Sequence, residues 1–152
     1  MPRIATATEV GRTELLDFAR PRHRAVLVTT RADGSAQMSP VTCGVDAAGR
    51  IVISTYPSRA KTRNIRRRPQ VSICLLSDEW DGPYVQIDGR AEVFDMPEAL
   101  DGLVDYYRCI AGEHPDWEEY RAAMAQQGKA LIRIDIERWG PIATGGFPPA
   151  DD

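Results

Sequence analysis

A succession of short β-branched runs, each closed by a turn signal, most constrains what this chain can fold into. The run from Arg24 to Arg31 is strand-like, and Ala32-Asp-Gly34 after it is a turn. The strand pattern resumes from Ala36 to Cys43, with Val45 extending it, and Asp46-Ala-Ala-Gly49 is a second turn. A third strand follows from Arg50 to Thr55. Pro40 inside the second run predicts an edge or a bulge, because proline has no N–H to give a ladder. The first half therefore reads as a β-meander.

The second half adds strands and one helical insertion. Gln70 to Ser77 is strand-like. Tyr84–Asp88 and Ala91–Phe94, joined by Gly89-Arg90, read as two strands or one long bent strand. Ser77 to Gly82 is a polar loop holding Trp80. A helix starts near Asp95-Met-Pro-Glu98, where an acidic cap, an early proline and a capping glutamate coincide. Leu100, Leu103, Val104, Tyr107, Ile110 and Ala111 recur at helical spacing on one face, and Gly112 ends the helix. Pro115 opens a second helix with Trp117, Tyr120 and Met124 inward, closed at Gly128. Lys129 to Ile136 alternates as a last strand. A short helix over Thr13–Ala19 precedes the meander, and the tail from Gly140 is expected to be loop or flexible.

Six or seven strands with one helical insertion, in 152 residues, predict a mostly β, α+β fold: a closed or half-closed barrel. The βαβ alternation of a doubly wound sheet is absent, and so is GxGxxG. With no repeat and no linker, the expectation is one domain over 1–152, its core at about 13–139. Apolar residues make up 43%, enough for one core. No apolar run nears the ~18 residues that would span a bilayer. The N-terminal segment carries acids and lacks a hydrophobic signal core, and Cys43, Cys74 and Cys109 fall in strand-like and helix-like runs without CxxC spacing. These features predict a cytoplasmic protein with reduced thiols and no membrane partner. His23 and His114 are far apart, so no metal site is expected.

Charge is uneven. Net charge is −3, yet Arg59, Lys61, Arg63, Arg66, Arg67 and Arg68 lie within ten residues that contain no acid. A local cationic site on an acidic chain points to a small anionic ligand rather than a nucleic-acid surface. Tyr56-Pro-Ser58 breaks the third strand, and Ser58 fits the N-cap of a helix that Pro69 stops after Arg68. The first turn of such a helix offers unpaired N–H groups and the positive end of the dipole. Ser58 and Thr62 add hydroxyls, Arg59 a fork and Lys61 a point charge. At ~100° per residue, Lys61, Asn64, Ile65 and Arg68 share one side. Arg59, Arg63, Arg66 and Arg67 share the other. The residues alone leave open a basic, solvated helix end without a ligand.

The strand–turn order, followed by Ser58-Arg-Ala-Lys-Thr-Arg-Asn-Ile65, Pro69 and another strand, resembles the flavin-binding split-barrel superfamily of pyridoxamine 5'-phosphate oxidases. The block from Tyr107 to Tyr120 is similar to the helical insertion of its actinobacterial deazaflavin-dependent reductases. The resemblance covers about Thr13 to Trp139. It implies a six-stranded antiparallel split barrel that forms a homodimer with cofactor sites at the interface. It implies Arg59, Lys61 and Asn64, with Ser58 and Thr62, as the phosphate segment. Ser54 and Thr55 would line the ring and ribityl chain, with Gln37, Ser39 and Val41 beside the ring. Tyr84 would reach across the dimer, and Trp80 would cover the ring. The implied cofactor is coenzyme F420, an 8-hydroxy-5-deazaflavin, with FMN as the alternative and haem also used in the family. The implied activity is hydride transfer to an unsaturated, conjugated small molecule. An FMN oxidoreductase and a non-catalytic flavin binder are the alternatives. Arg63, Arg66 and Arg67 would attract the coenzyme's anionic tail. The C-terminal arginine pattern of the true oxidases is not found, which argues against vitamin B6 oxidation. No Ser/His/Asp set or paired carboxylates stand out, and no catalytic acid is assigned.

Overall fold

The structure, a computed structural model, describes residues 4–145. Its elements run β1 (Thr6–Thr8), α1 (Arg12–Ala19), β2 (Arg24–Thr30), β3 (Ala36–Val45), β4 (Ile51–Thr55), α2 (Ala60–Arg67), β5 (Gln70–Leu76), β6 (Val85–Phe94), α3 (Ala99–Ala111), α4 (Trp117–Gln127), β7 (Ala130–Trp139) and β8 (Ile142–Thr144). Six strands close an antiparallel barrel in the order β2-β3-β4-β7-β6-β5. The split-barrel expectation holds.

The turns form where the sequence signalled them, for local reasons. Asp33 Oδ1 accepts from the backbone N–H and the hydroxyl of Ser35, and Gly34 takes φ 89°. Asp46 Oδ1 accepts from the N–H groups of Ala48 and Arg50, with Gly49 at φ 79°. Alternating residues then fill the barrel. Ala25, Leu27, Cys43, Ile51, Ile53, Ile73, Leu75, Ile87, Ile132 and Ile134 are buried in one cluster, which Ile65 of α2 joins. A second cluster lies outside the barrel wall. There Val52 and Leu131 meet Ala99, Leu103 and Val104 of α3 and Tyr120 of α4. The helical insertion is thus a second layer packed on β3, β4 and β7.

β4 pairs only with the last three residues of β3, Cys43 to Val45. From Ala36 to Thr42, β3 therefore has a partner on the β2 side alone. Pro40 lies in this half-free stretch opposite Val26, as its missing N–H requires. The opening beside β3 positions the candidate site.

Of the two readings of the segment from Val85 to Phe94, the single bent strand is the one that forms, with a register shift between Asp88 and Gly89. Four expectations are corrected. The first insertion helix starts at Ala99, because Asp95–Glu98 forms a turn whose Asp95 carbonyl accepts from Ala99. Ser58 is not an N-cap: Tyr56 to Arg59 closes as a turn through Arg59 N–H to Tyr56 O at 3.2 Å. This moves the cap position to Arg59, whose side chain makes no cap bond. Arg68 leaves the helix with extended φ and ψ, so it does not share the Lys61 side. Finally, part of the tail from Gly140 is ordered, since β8 pairs with β1 through Thr6↔Thr144, Ala7↔Ala143 and Thr8↔Ile142. The remainder of that tail, 146–152, lies outside the described residues.

Candidate functional site

The site forms where β4 ends and α2 begins. Ser54 and Thr55 alternate across β4. Thr55 turns inward and is buried. Ser54 turns outward, on the same face as Val52, toward α3 and α4. A cavity of about 390 Å³ opens there, walled by Pro40, Val41 and Thr42 of the half-free stretch of β3 and by Ser54. Tyr106, Tyr107, Tyr120 and Met124 of the insertion form its opposite wall. Lys61 and Lys129 supply its charge.

The aromatic wall is closely packed. Tyr107, His114, Trp117 and Tyr120 stack edge-on or tilted, with centroids 5.0–5.7 Å apart. The Tyr120 hydroxyl donates to Leu103 O at 2.9 Å, which locks α4 to α3. His114 Nδ1 accepts from the Asp116 N–H at 2.9 Å, a structural role for His114. Burial pushes the Tyr106 phenol up and that of Tyr120 to about 12, so both stay neutral hydroxyls near neutral pH.

The phosphate segment divides by burial. Lys61 is half-buried on the cavity. Desolvation first, then the charges of Arg59 and Lys129, holds its pKa below the ordinary lysine range. Ser58 and Arg59 are exposed at the turn into α2. Thr62 is wholly buried, its hydroxyl donating to Tyr56 O at 2.9 Å and lying 3.1 Å from that of Thr55. Asn64 is 4% exposed, and its amide donates to Thr29 Oγ1 at 3.0 Å. Thr55, Thr62 and Asn64 therefore shape the start of α2 from within, whereas Lys61, Ser54 and Val41 share the cavity.

Gln37 and Ser39 lie on the inner side of β3, in register with Thr29 and Leu27. Gln37 Oε1 accepts from Thr29 at 2.7 Å, and Ser39 Oγ is buried with no partner among the described residues. Trp80 stands 92% exposed beside a neighbouring cavity that Val41 also lines. Tyr84 is away from the cavity, bridged by its backbone to Ala143. The arginines on the outer side of α2 are partly engaged. Arg66 makes two 2.7 Å bonds to the carboxylate of Asp95, and Arg67 donates to Asn64 Oδ1. Lys129, absent from the expected contacts, had no local signal: it follows the C-cap Gly128 as an isolated cation. No group of three or more potential metal ligands exists among the described residues.

The chain matches the pyridoxamine 5'-phosphate oxidase family over residues 12–143. The chain belongs to that family. Solved structures share the fold. A conserved hypothetical protein, Rv2991 from Mycobacterium tuberculosis, is 24% identical with a TM-score of 0.74, over 92% of this chain and 89% of that one. A protein described as an F420 reductase is 20% identical with a TM-score of 0.62, over 87% and 98%. HutZ, a haem storage protein from Vibrio cholerae, is 20% identical with a TM-score of 0.64, over 88% and 95%. Likenesses of this degree establish the fold. Among the described residues, no helix is long and apolar enough to cross a membrane.

Proposed function

We propose that this family member is an oxidoreductase that binds coenzyme F420 and serves hydride transfer to an unsaturated, conjugated small molecule. The observation that carries the reading is the cavity between β3, β4 and the insertion, where Lys61 and Lys129 meet no carboxylate among the described residues. Unneutralised cations around a cavity fit a phosphate-bearing ligand. The family match and the likeness to an F420 reductase supply the cofactor class.

When bound, the reduced deazaflavin would supply a hydride from C5. The chain's own part is binding, orientation and exclusion of water. Lys61 and the exposed Arg59 would hold the phosphate, with Ser58 beside them at the turn. Thr55, Thr62 and Asn64 fix the backbone that presents Lys61. Ser54 and Val41 would line the ribityl chain and ring. The tyrosine wall would limit water and favour a planar acceptor. Tail attraction falls to Arg63, because Arg66 and Arg67 already have partners.

A homodimer belongs to the same reading. Val26, Val28, Met38, Pro40, Cys74 and Leu76 share the outer barrel face, by the pairings of β2 with β3 and β5. Met38 is 66% exposed, and Trp80 stands close to that face. Apolar exposure of this kind fits a second copy. Light scattering should give twice the chain mass, and a monomer would remove this part.

The function is tested by titrating the purified protein with F420 and with FMN and following fluorescence, then by turnover against conjugated acceptors. Lys61→Glu should abolish tight F420 binding, and unchanged binding would sink the proposal. Preference for FMN would move the assignment to a flavin oxidoreductase. Binding without turnover of any acceptor would make the protein a carrier.

A further inference from the structure

We infer that Lys129 is a second arm of the anion site, closing on the same ligand phosphate as Lys61 from the opposite side of the cavity, with Tyr56 as its positioning residue. The inference rests on the proposed binding of a phosphate-bearing flavin or deazaflavin and extends it to a residue outside the α2 segment.

Three observations converge on Lys129. Its backbone is fixed. Gly128 ends α4 in the left-handed region at φ 64°, and the Lys129 N–H bonds to Met124 O at 3.2 Å. The next residue, Ala130, pairs with Thr55 at the end of β4, which sets Lys129 beside Tyr56. Its ammonium is held but not neutralised. Nζ lies 3.9 Å from the centroid of the Tyr56 ring, and no described carboxylate pairs with it. An aromatic face attracts a cation without cancelling its charge, so the ammonium keeps its full pull on an anion.

The third observation is the company it keeps. Lys61 and Lys129 are the only lysines of the chain, against seventeen arginines, and both line one cavity. The two charges repel, and Lys129 is among the groups that depress Lys61. The chain has more acids than bases, 22 against 19, and at least six arginines are paired with carboxylates. Two like charges left together at one cavity are a cost to folding that a phosphate bound by both would remove. The recognised chemistry is a phosphate on a ribityl arm, which either FMN or F420 carries.

The test compares each cofactor with its phosphate-free form. Wild type, Lys129→Met, Lys129→Arg and Lys61→Met are titrated with FMN and riboflavin, and with F420 and 8-hydroxy-5-deazariboflavin. Lys129→Met should weaken the phosphate-bearing ligand by roughly tenfold or more, the scale of a charged hydrogen bond. It should leave the phosphate-free form nearly unchanged. Lys129→Arg should retain most of the affinity, and Tyr56→Leu should give a partial loss of the same selective kind. The cofactor pair that shows the difference identifies the phosphate's source. Equal weakening of phosphate-bearing and phosphate-free ligands, or loss in Lys61→Met but not in Lys129→Met, overturns the inference alone. Failure of the wild type to bind any of the four overturns the proposed function as well.

Discussion

The amide of Asn64 donates to the hydroxyl of Thr29 at 3.0 Å, and both groups are buried. Thr29 in turn donates to Gln37, so α2, β2 and β3 are joined by one short chain of hydrogen bonds. Asn64→Ala should cost about 1–3 kcal/mol, the range for leaving buried partners unsatisfied. Denaturant unfolding checks this. A variant as stable as wild type but deficient in cofactor binding would instead make Asn64 a direct ligand contact.

Ser39 gives the opposite expectation. Its hydroxyl is buried and unpaired among the described residues, so Ser39→Ala should be neutral or slightly stabilising. A loss of more than about 1 kcal/mol in the apo protein would show that the hydroxyl has a partner after all.

Lys61 sets a pH dependence. Desolvation and the Arg59 and Lys129 charges lower its pKa in the folded chain. A lowered base costs stability while it is charged, and that cost is relieved as pH rises through the folded value. Affinity for a phosphate-bearing ligand should run the other way. It should be flat near neutrality and fall on the alkaline side, earlier than an ordinary lysine would dictate. Riboflavin, titrated in parallel, should show no such fall from this cause. Equal alkaline profiles for both ligands would count against Lys61 as a phosphate contact.

Gly89 sits at the bulge of β6. A Cβ there would collide with the backbone carbonyl of Asp135 and come 2.8 Å from Ile134 Cγ2. Gly89→Ala should lose at least about 1–3 kcal/mol, since β7 backbone must shift. Thermal unfolding unchanged from wild type would show that the bulge relaxes freely.

The thiols should be inert in the native state. Burial pushes Cys43 up to about 12 and raises Cys74 and Cys109 as well. The thiolate is the reactive form, so Cys43 should label with a disulfide reagent only as the protein unfolds. Labelling of Cys43 at the rate of a free thiol would contradict the packing around it.

Strands were legible because their signals are local. Alternating β-branched residues and Asp-Gly-type turns announced β2, β3 and β4, and Pro40 announced the half-free stretch of β3. β1 and β8 were not legible: three residues each, they take their meaning from partners 134 to 138 positions away, which no local pattern encodes. At the site, the charge cluster drew attention to Lys61, and the structure puts that residue on the cavity. The burial of Asn64 depended on Thr29, 35 residues earlier, and the place of Lys129 depended on Tyr56, across the β4–β7 pairing. Position on a helix tells which side a residue faces, but not whether its partner there is protein or ligand.

β7 pairs with both β4 and β6, and it follows every other barrel strand in the chain. During synthesis the earlier strands can form their hairpins while two ladders still wait, with unpaired N–H and C=O groups on β4 and β6. The Tyr120 wall and the Lys61 helix are made before the strand that brings Lys129 to them. A nascent chain stalled before residue 130 would therefore expose sticky edges and hold half of the proposed anion site, which makes completion of one late strand the step that chaperones would have to protect.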